Sequence, residues 1–83
     1  MIVSVKLTKL READNPLFPN NIEEGYTIIR SVYAHEFHEP EVGESFYLYE
    51  YNSGGMFSTS TVQEIIDSNT FRTHNSIYRW EII

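Results

Sequence analysis

The sequence predicts an all-β protein, a small barrel built from one domain over residues 1–83. Three observations lead there. Several short runs alternate apolar and polar residues with a period of two, the pattern of strands that have one buried and one wet face. Between the runs lie clusters of Gly, Pro, Asn, Asp and Ser, which favour turns through permissive backbone angles or local side-chain hydrogen bonds. Only Val62 to Asp67 also fits a helical period, and over little more than one turn.

Taken in order, Ile2 to Leu10 sets Val3, Val5 and Leu7 against Ser4, Lys6 and Thr8, a first strand with one wet face. Arg11 to Glu24 is a long loop. Its Pro16 and Pro19 fix φ and lack a donor, which excludes a central strand or a helix interior. Leu17 and Phe18 in this loop are expected to fold back as a plug on the barrel end, the alternative being an exposed contact. Gly25 to Ala34 is a second strand, apolar on both faces at Ile28 and Ile29, and so expected to be covered on both sides by a neighbouring subunit. His35 to Val42 is an acidic loop, and Val42-Gly43-Glu44 a turn. In the third strand, Ser45 to Tyr51, Phe46 and Leu48 alternate with the stripe Tyr47, Tyr49 and Tyr51. Asn52-Ser53-Gly54-Gly55 turns the chain into a fourth strand from Met56 to Thr61.

The last third is two extended segments folded back around Asp67-Ser68-Asn69-Thr70. Val62 to Ile66 is read as strand, with one helical turn as the alternative. Thr73-His74-Asn75-Ser76 is a second polar break that re-aims the chain. From Ser76 to Ile83, Tyr78, Trp80 and Ile82 share one face, and Ile77, Arg79 and Glu81 the other. Five strands with one long early loop match a small, highly curved, five-stranded SH3-like barrel, whose closure removes most exposed edges. An open α+β sheet is the alternative.

The pattern T-S-x-V-x-x-I, a short turn, then F-x-T-x-N-S-x-Y is carried by Thr59, Ser60, Val62, Ile65, Phe71, Thr73, Asn75, Ser76 and Tyr78. It resembles the C-terminal signature of small uncharacterised proteins from phages and gut bacteria, over less than a third of the chain. The resemblance implies a compact β-barrel of phage type and no particular activity. It also implies a host protein as partner, one of a defence system included, met in the host cytoplasm.

Composition narrows the function classes. A chain of 83 residues buries only about 60–65% of its unfolded surface, so self-association would supplement a small core. There is no cysteine, which excludes disulfides, thiolate metal sites and a thiol nucleophile. Neither a leader peptide nor a membrane-spanning stretch is expected. Net charge is −6, and residues 12–50 hold nine acids against the single Arg30. Nucleic acid is therefore not an expected partner, because phosphate neutralisation needs clustered Lys and Arg. A basic partner surface suits this charge.

Catalytic signatures are missing. No G-x-S-x-G elbow, phosphate-binding glycine loop or dinucleotide fingerprint occurs. His35 and His38, with Glu36 and Glu39, have metal-ligand chemistry, but their spacing is not that of a zinc protease, and an exposed polar loop is the expected reading. No metal or cofactor is expected. The chain reads as a non-catalytic binding protein that forms a homo-oligomer and engages another protein. Tyr47, Tyr49 and Tyr51 are the leading surface, since tyrosine offers a flat apolar body with a polar tip; the alternatives for this stripe are a strand face packed under the long loop, a homodimer contact, or a stacking site for a ligand. The alternative is an oligomeric sponge for a nucleotide-derived signal. There Arg72 and Arg79, with Thr73, Asn75 and Tyr78, would hold phosphate groups.

Overall fold

A computed structural model describes residues 1–14 and 23–83. Six strands, β1 (Ile2–Glu12), β2 (Thr27–Tyr33), β3 (Ser45–Tyr49), β4 (Met56–Asp67), β5 (Thr70–Thr73) and β6 (Ser76–Ile82), form one antiparallel sheet in the order β2-β1-β6-β5-β4-β3. Among the described residues there is no helix, so the segment from Val62 to Asp67 is strand and the α+β alternative falls away. No helix is long and apolar enough to cross a membrane among these residues.

Among the described residues the strand count is six, not the expected five, because Thr73-His74-Asn75-Ser76 reverses the chain instead of only re-aiming it. The Thr73 hydroxyl accepts the N–H groups of Asn75 (3.2 Å) and Ser76 (3.1 Å). That closes a tight turn of the kind short hydroxyl side chains stabilise. β5 and β6 then pair with Phe71 opposite Tyr78 and Arg72 opposite Ile77.

Curvature comes from β4. Its first half pairs with β3 and its second with β5, with register shifts near Gln63 and Ile66. Each added residue increases local twist and bends the strand. A further shift near Phe46 would strand that residue's N–H, and the buried Thr59 hydroxyl accepts it at 3.2 Å. The sheet thus curls into a half-barrel. Its edge strands β2 and β3 approach each other and are clamped where Tyr51 N–H donates to the Ser31 carbonyl (2.9 Å) and Ser31 N–H to the Glu50 carboxylate (3.0 Å).

The concave face holds Val5, Leu7, Ile28, Val32, Phe46, Leu48, Val62, Phe71, Tyr78 and Trp80. Phe71 is fully buried, its ring 5.1 Å from Phe46 and stacked 5.5 Å from Tyr78. One mouth of the curl is covered by the connection between β2 and β3. Its Phe37 reaches in to Trp80 at 5.4 Å and Phe46 at 6.3 Å. Leu17 and Phe18, expected as the plug, lie outside the described residues. Within the single chain β2 is buried on one face only. Ile28 is buried opposite Leu7, but Ile29 is 51% exposed, opposite Lys6 on the convex face. β2 is an edge strand whose convex face no other described segment of this chain covers.

β1 runs two residues past Leu10, where the loop was expected to start. A register shift falls between Lys9, opposite Tyr78, and Arg11, opposite Ile77. The extra residue inverts the alternation, so Lys9 and Glu12 both point to the concave side. There the wholly buried Lys9 ammonium pairs with a Glu12 carboxylate oxygen.

At the opposite end, Asp67 accepts the Asn69 N–H at 2.8 Å, while Asn69 exchanges bonds of 2.8 and 2.9 Å with the Trp80 backbone. The Asn69 N–H, then the Thr70 hydroxyl, then Arg79 hold the Asp67 carboxyl below the usual aspartate range. A folded-state pKa below the unfolded one contributes stability that is present above the unfolded value and lost as pH falls through the lowered one. Carboxyl NMR is therefore expected to give Asp67 a midpoint below 3.8, and Asp67→Asn to flatten the acid limb of the stability profile below that value. An ordinary midpoint would show that the turn does not hold the carboxylate.

Candidate binding site

The backbone alternation of β3 sends Phe46 and Leu48 into the core and turns Tyr47 and Tyr49 outward, 39% and 45% exposed. Tyr51 follows in the β3–β4 turn at 39%. Gly54 makes this turn possible with φ at 71°, a backbone angle side chains disfavour, and the Tyr49 hydroxyl lies over it. Among the described residues the tyrosine stripe is therefore neither core nor covered by another segment.

β2 brings a fourth tyrosine to the same place. Tyr33, 38% exposed, meets the Tyr51 ring edge-on at 5.7 Å. The chain then turns, with the Tyr33 carbonyl accepting N–H from Glu36 (3.0 Å) and Phe37 (3.2 Å). That turn sets His35 5.4 Å from Tyr33 and His38 6.5 Å from Tyr47, ring to ring. A depression of about 430 Å³ results, lined by His35, Glu36, His38, Tyr47 and Tyr49. A second, of about 340 Å³, adjoins it through His38 and Tyr47 and is walled by Glu39, Glu41, Glu44, Ser45 and Phe46. Together they follow the free side of β3.

This surface can stack on apolar or cationic groups through tyrosine faces, and it is ringed by carboxylates. His35 and His38 share one depression, yet among the described residues no three His, Cys, Asp or Glu side chains are grouped to hold a metal ion. The His35 ring nitrogen stands 3.9 Å from the Glu36 carboxylate, both largely solvated.

The other candidate residues divide between two faces of the sheet. Thr73 and Tyr78 are buried on the concave side, and Asn75 sits in the β5–β6 turn with its amide 3.5 Å from the Ser60 hydroxyl. Arg79 is exposed opposite Thr70, and Arg72 is half-exposed and paired with Glu64 at 3.2 Å. The two arginines and the Tyr78 ring do not converge on one pocket. Much of the T-S-x-V and F-x-T-x-N-S-x-Y pattern serves the fold itself. Thr59 satisfies a bulge, Thr73 closes a turn, and Val62, Phe71 and Tyr78 are core.

Sequence reasoning overlooked Tyr33, His35 and His38 as companions of the tyrosine stripe. Alternation offered a signal for Tyr33, since Ile28 and Val32 inward place it outward. Its meeting with Tyr51 depends on the curl, which no local pattern encodes. No family model, no curated protein and no solved structure matches this chain.

Proposed function

We propose that this chain is a non-catalytic binding protein that engages a protein partner through the Tyr33, Tyr47, Tyr49 and Tyr51 surface. The observation that supports this most is the gathering of four exposed tyrosines and two histidines where the edge strands meet. Aromatic side chains presented to solvent on a rigid sheet are the residue type that dominates binding energy at interfaces. The acids of the adjoining depressions favour a basic partner surface. In the light of the phage resemblance, the partner is a host protein of the bacterial cytoplasm, such as a defence-system component. The half-barrel is on this view an incompletely closed relative of the SH3-like design, self-association being a further property of its convex face.

Tagged chain passed over a host-bacterial lysate is expected to retain one partner that raised salt releases. Tyr47→Ala with Tyr49→Ala is expected to weaken that binding by about 30-fold or more, the loss typical of central aromatic contacts. Unchanged melting temperature would show that the fold is intact. Equal retention by the double variant would defeat the assignment of this face.

A further inference from the structure

Along β3 the backbone itself is left open. The Glu50 N–H donates to the Gly55 carbonyl at 2.8 Å, while Tyr49 stands opposite Met56 and Tyr47 opposite Ser58. In an antiparallel ladder bonded and non-bonded positions alternate, so Leu48 and Glu50 direct their backbone groups to β4, and Tyr47 and Tyr49 direct theirs to the free edge. Tyr51, in phase with them, donates across the seam to Ser31, in keeping with that direction.

Among the described residues no backbone bond from the facing strand β2 reaches Tyr47 or Tyr49. Both backbone groups of Ser31 are taken by the clamp, the Ile29 carbonyl accepts the Arg30 guanidinium at 3.1 Å, and the Tyr33 carbonyl closes the turn to Phe37. Continuing the seam antiparallel from Ser31 and Tyr51 would set Tyr33 against Tyr49. The chain leaves the sheet directly after Tyr33, and among the described residues the half-barrel stays open over Tyr47 and Tyr49. The two adjoining depressions, lined by β3 and by the connection that follows β2, form a groove beside Tyr47 and Tyr49.

We infer that the partner binds by strand addition. An extended, basic segment of the partner protein lies in this groove, antiparallel to β3, and completes the barrel. Its main chain pairs with Tyr47 and Tyr49, and its side chains alternate between the tyrosine rings and the carboxylates. Extended segments commonly add to exposed sheet edges, with main-chain bonds supplying affinity and alternate side chains specificity. At about 3.4 Å per residue, β3 offers about 17 Å, room for five or six residues. Glu36, Glu39, Glu41 and Glu44 wall the groove, and no described Lys or Arg does. That selects Lys- or Arg-bearing strands over acidic ones, and it disfavours a second copy of this acidic chain.

The inference rests on the tyrosine surface being the binding face, and one experiment separates the two ideas. A displayed library of random dodecapeptides is selected on the full chain. Basic peptides of β-forming composition are expected, and their addition slows hydrogen exchange at the Tyr47 and Tyr49 amides by about tenfold or more. N-methylation of alternate peptide amides is expected to weaken binding about tenfold in one register and to leave it unchanged in the other, because only one register faces β3. If selected peptides bind but neither register matters, strand addition is wrong and the tyrosine face remains a binding site. If binding also survives Tyr47→Ala with Tyr49→Ala, that face is wrong as well. Enrichment of acidic peptides only, or a dimer through β3 that excludes peptide, overturns strand addition directly.

Discussion

Phe71→Ala is expected to cost about 3–5 kcal/mol, the range for removing a buried aromatic ring from a packed core. Phe71 is fully buried between Phe46 and Tyr78, and β5, only four residues long, contributes few other apolar contacts. Domains of this size hold about 5–15 kcal/mol in total. The melting temperature should therefore fall by roughly 15–30 °C. Ile29→Ala on the convex face of β2 is expected to change stability by no more than about 0.5 kcal/mol. Urea unfolding of the two variants provides the comparison. Similar losses at both positions would mean that the convex face of β2 is covered, or that the ring is not the centre of the core.

The second large effect concerns the ion pair at the other end of the curl. Lys9 is buried to its ammonium, while the Glu12 side chain keeps 38% of its surface in water. Removing the carboxylate takes the Glu12 charge away from a buried cation, whereas removing the cation leaves a carboxylate that can turn outward to solvent. Glu12→Ala is accordingly expected to destabilise by about 2–3 kcal/mol, below the full range for a wholly buried pair because Glu12 is partly solvated. Lys9→Met retains the chain length and apolar stem and is expected to cost less than about 1 kcal/mol, or to stabilise. Chemical denaturation at neutral pH measures both. The reverse order would show that Lys9 is held by its other neighbours and that Glu12 contributes little.

Both effects bear on the proposed binding surface. The groove along β3 exists because the sheet is held in a curl with its edges clamped at Ser31, Glu50 and Tyr51. A loosened core would let β2 and β3 separate. Loss of binding in a core variant is thus a loss of shape, and the outward-facing Tyr47 and Tyr49 are the positions that isolate contact from fold.

Local chemistry was enough to locate most strands. In β3 the alternation of Phe46 and Leu48 with Tyr47 and Tyr49 determined which side chains share a face, because the extended backbone turns successive Cβ atoms to opposite sides. The turns at Gly43, at Asn52 to Gly55 and at Asp67 to Thr70 were likewise legible, since each depends on residues a few positions apart. What tertiary structure decided was everything that needs a second strand. Register in the neighbour turned Thr73 to Ser76 into a reversal and so made six strands. The bulge at Leu10 put Lys9 and Glu12 on one face against the simple alternation. Whether a backbone edge is used or open depends on what reaches it, and among the described residues the chain turns away after Tyr33 without pairing with Tyr47 or Tyr49. Side-chain direction is a local property of an extended backbone, whereas pairing, closure and vacancy are properties of segments far apart in the chain.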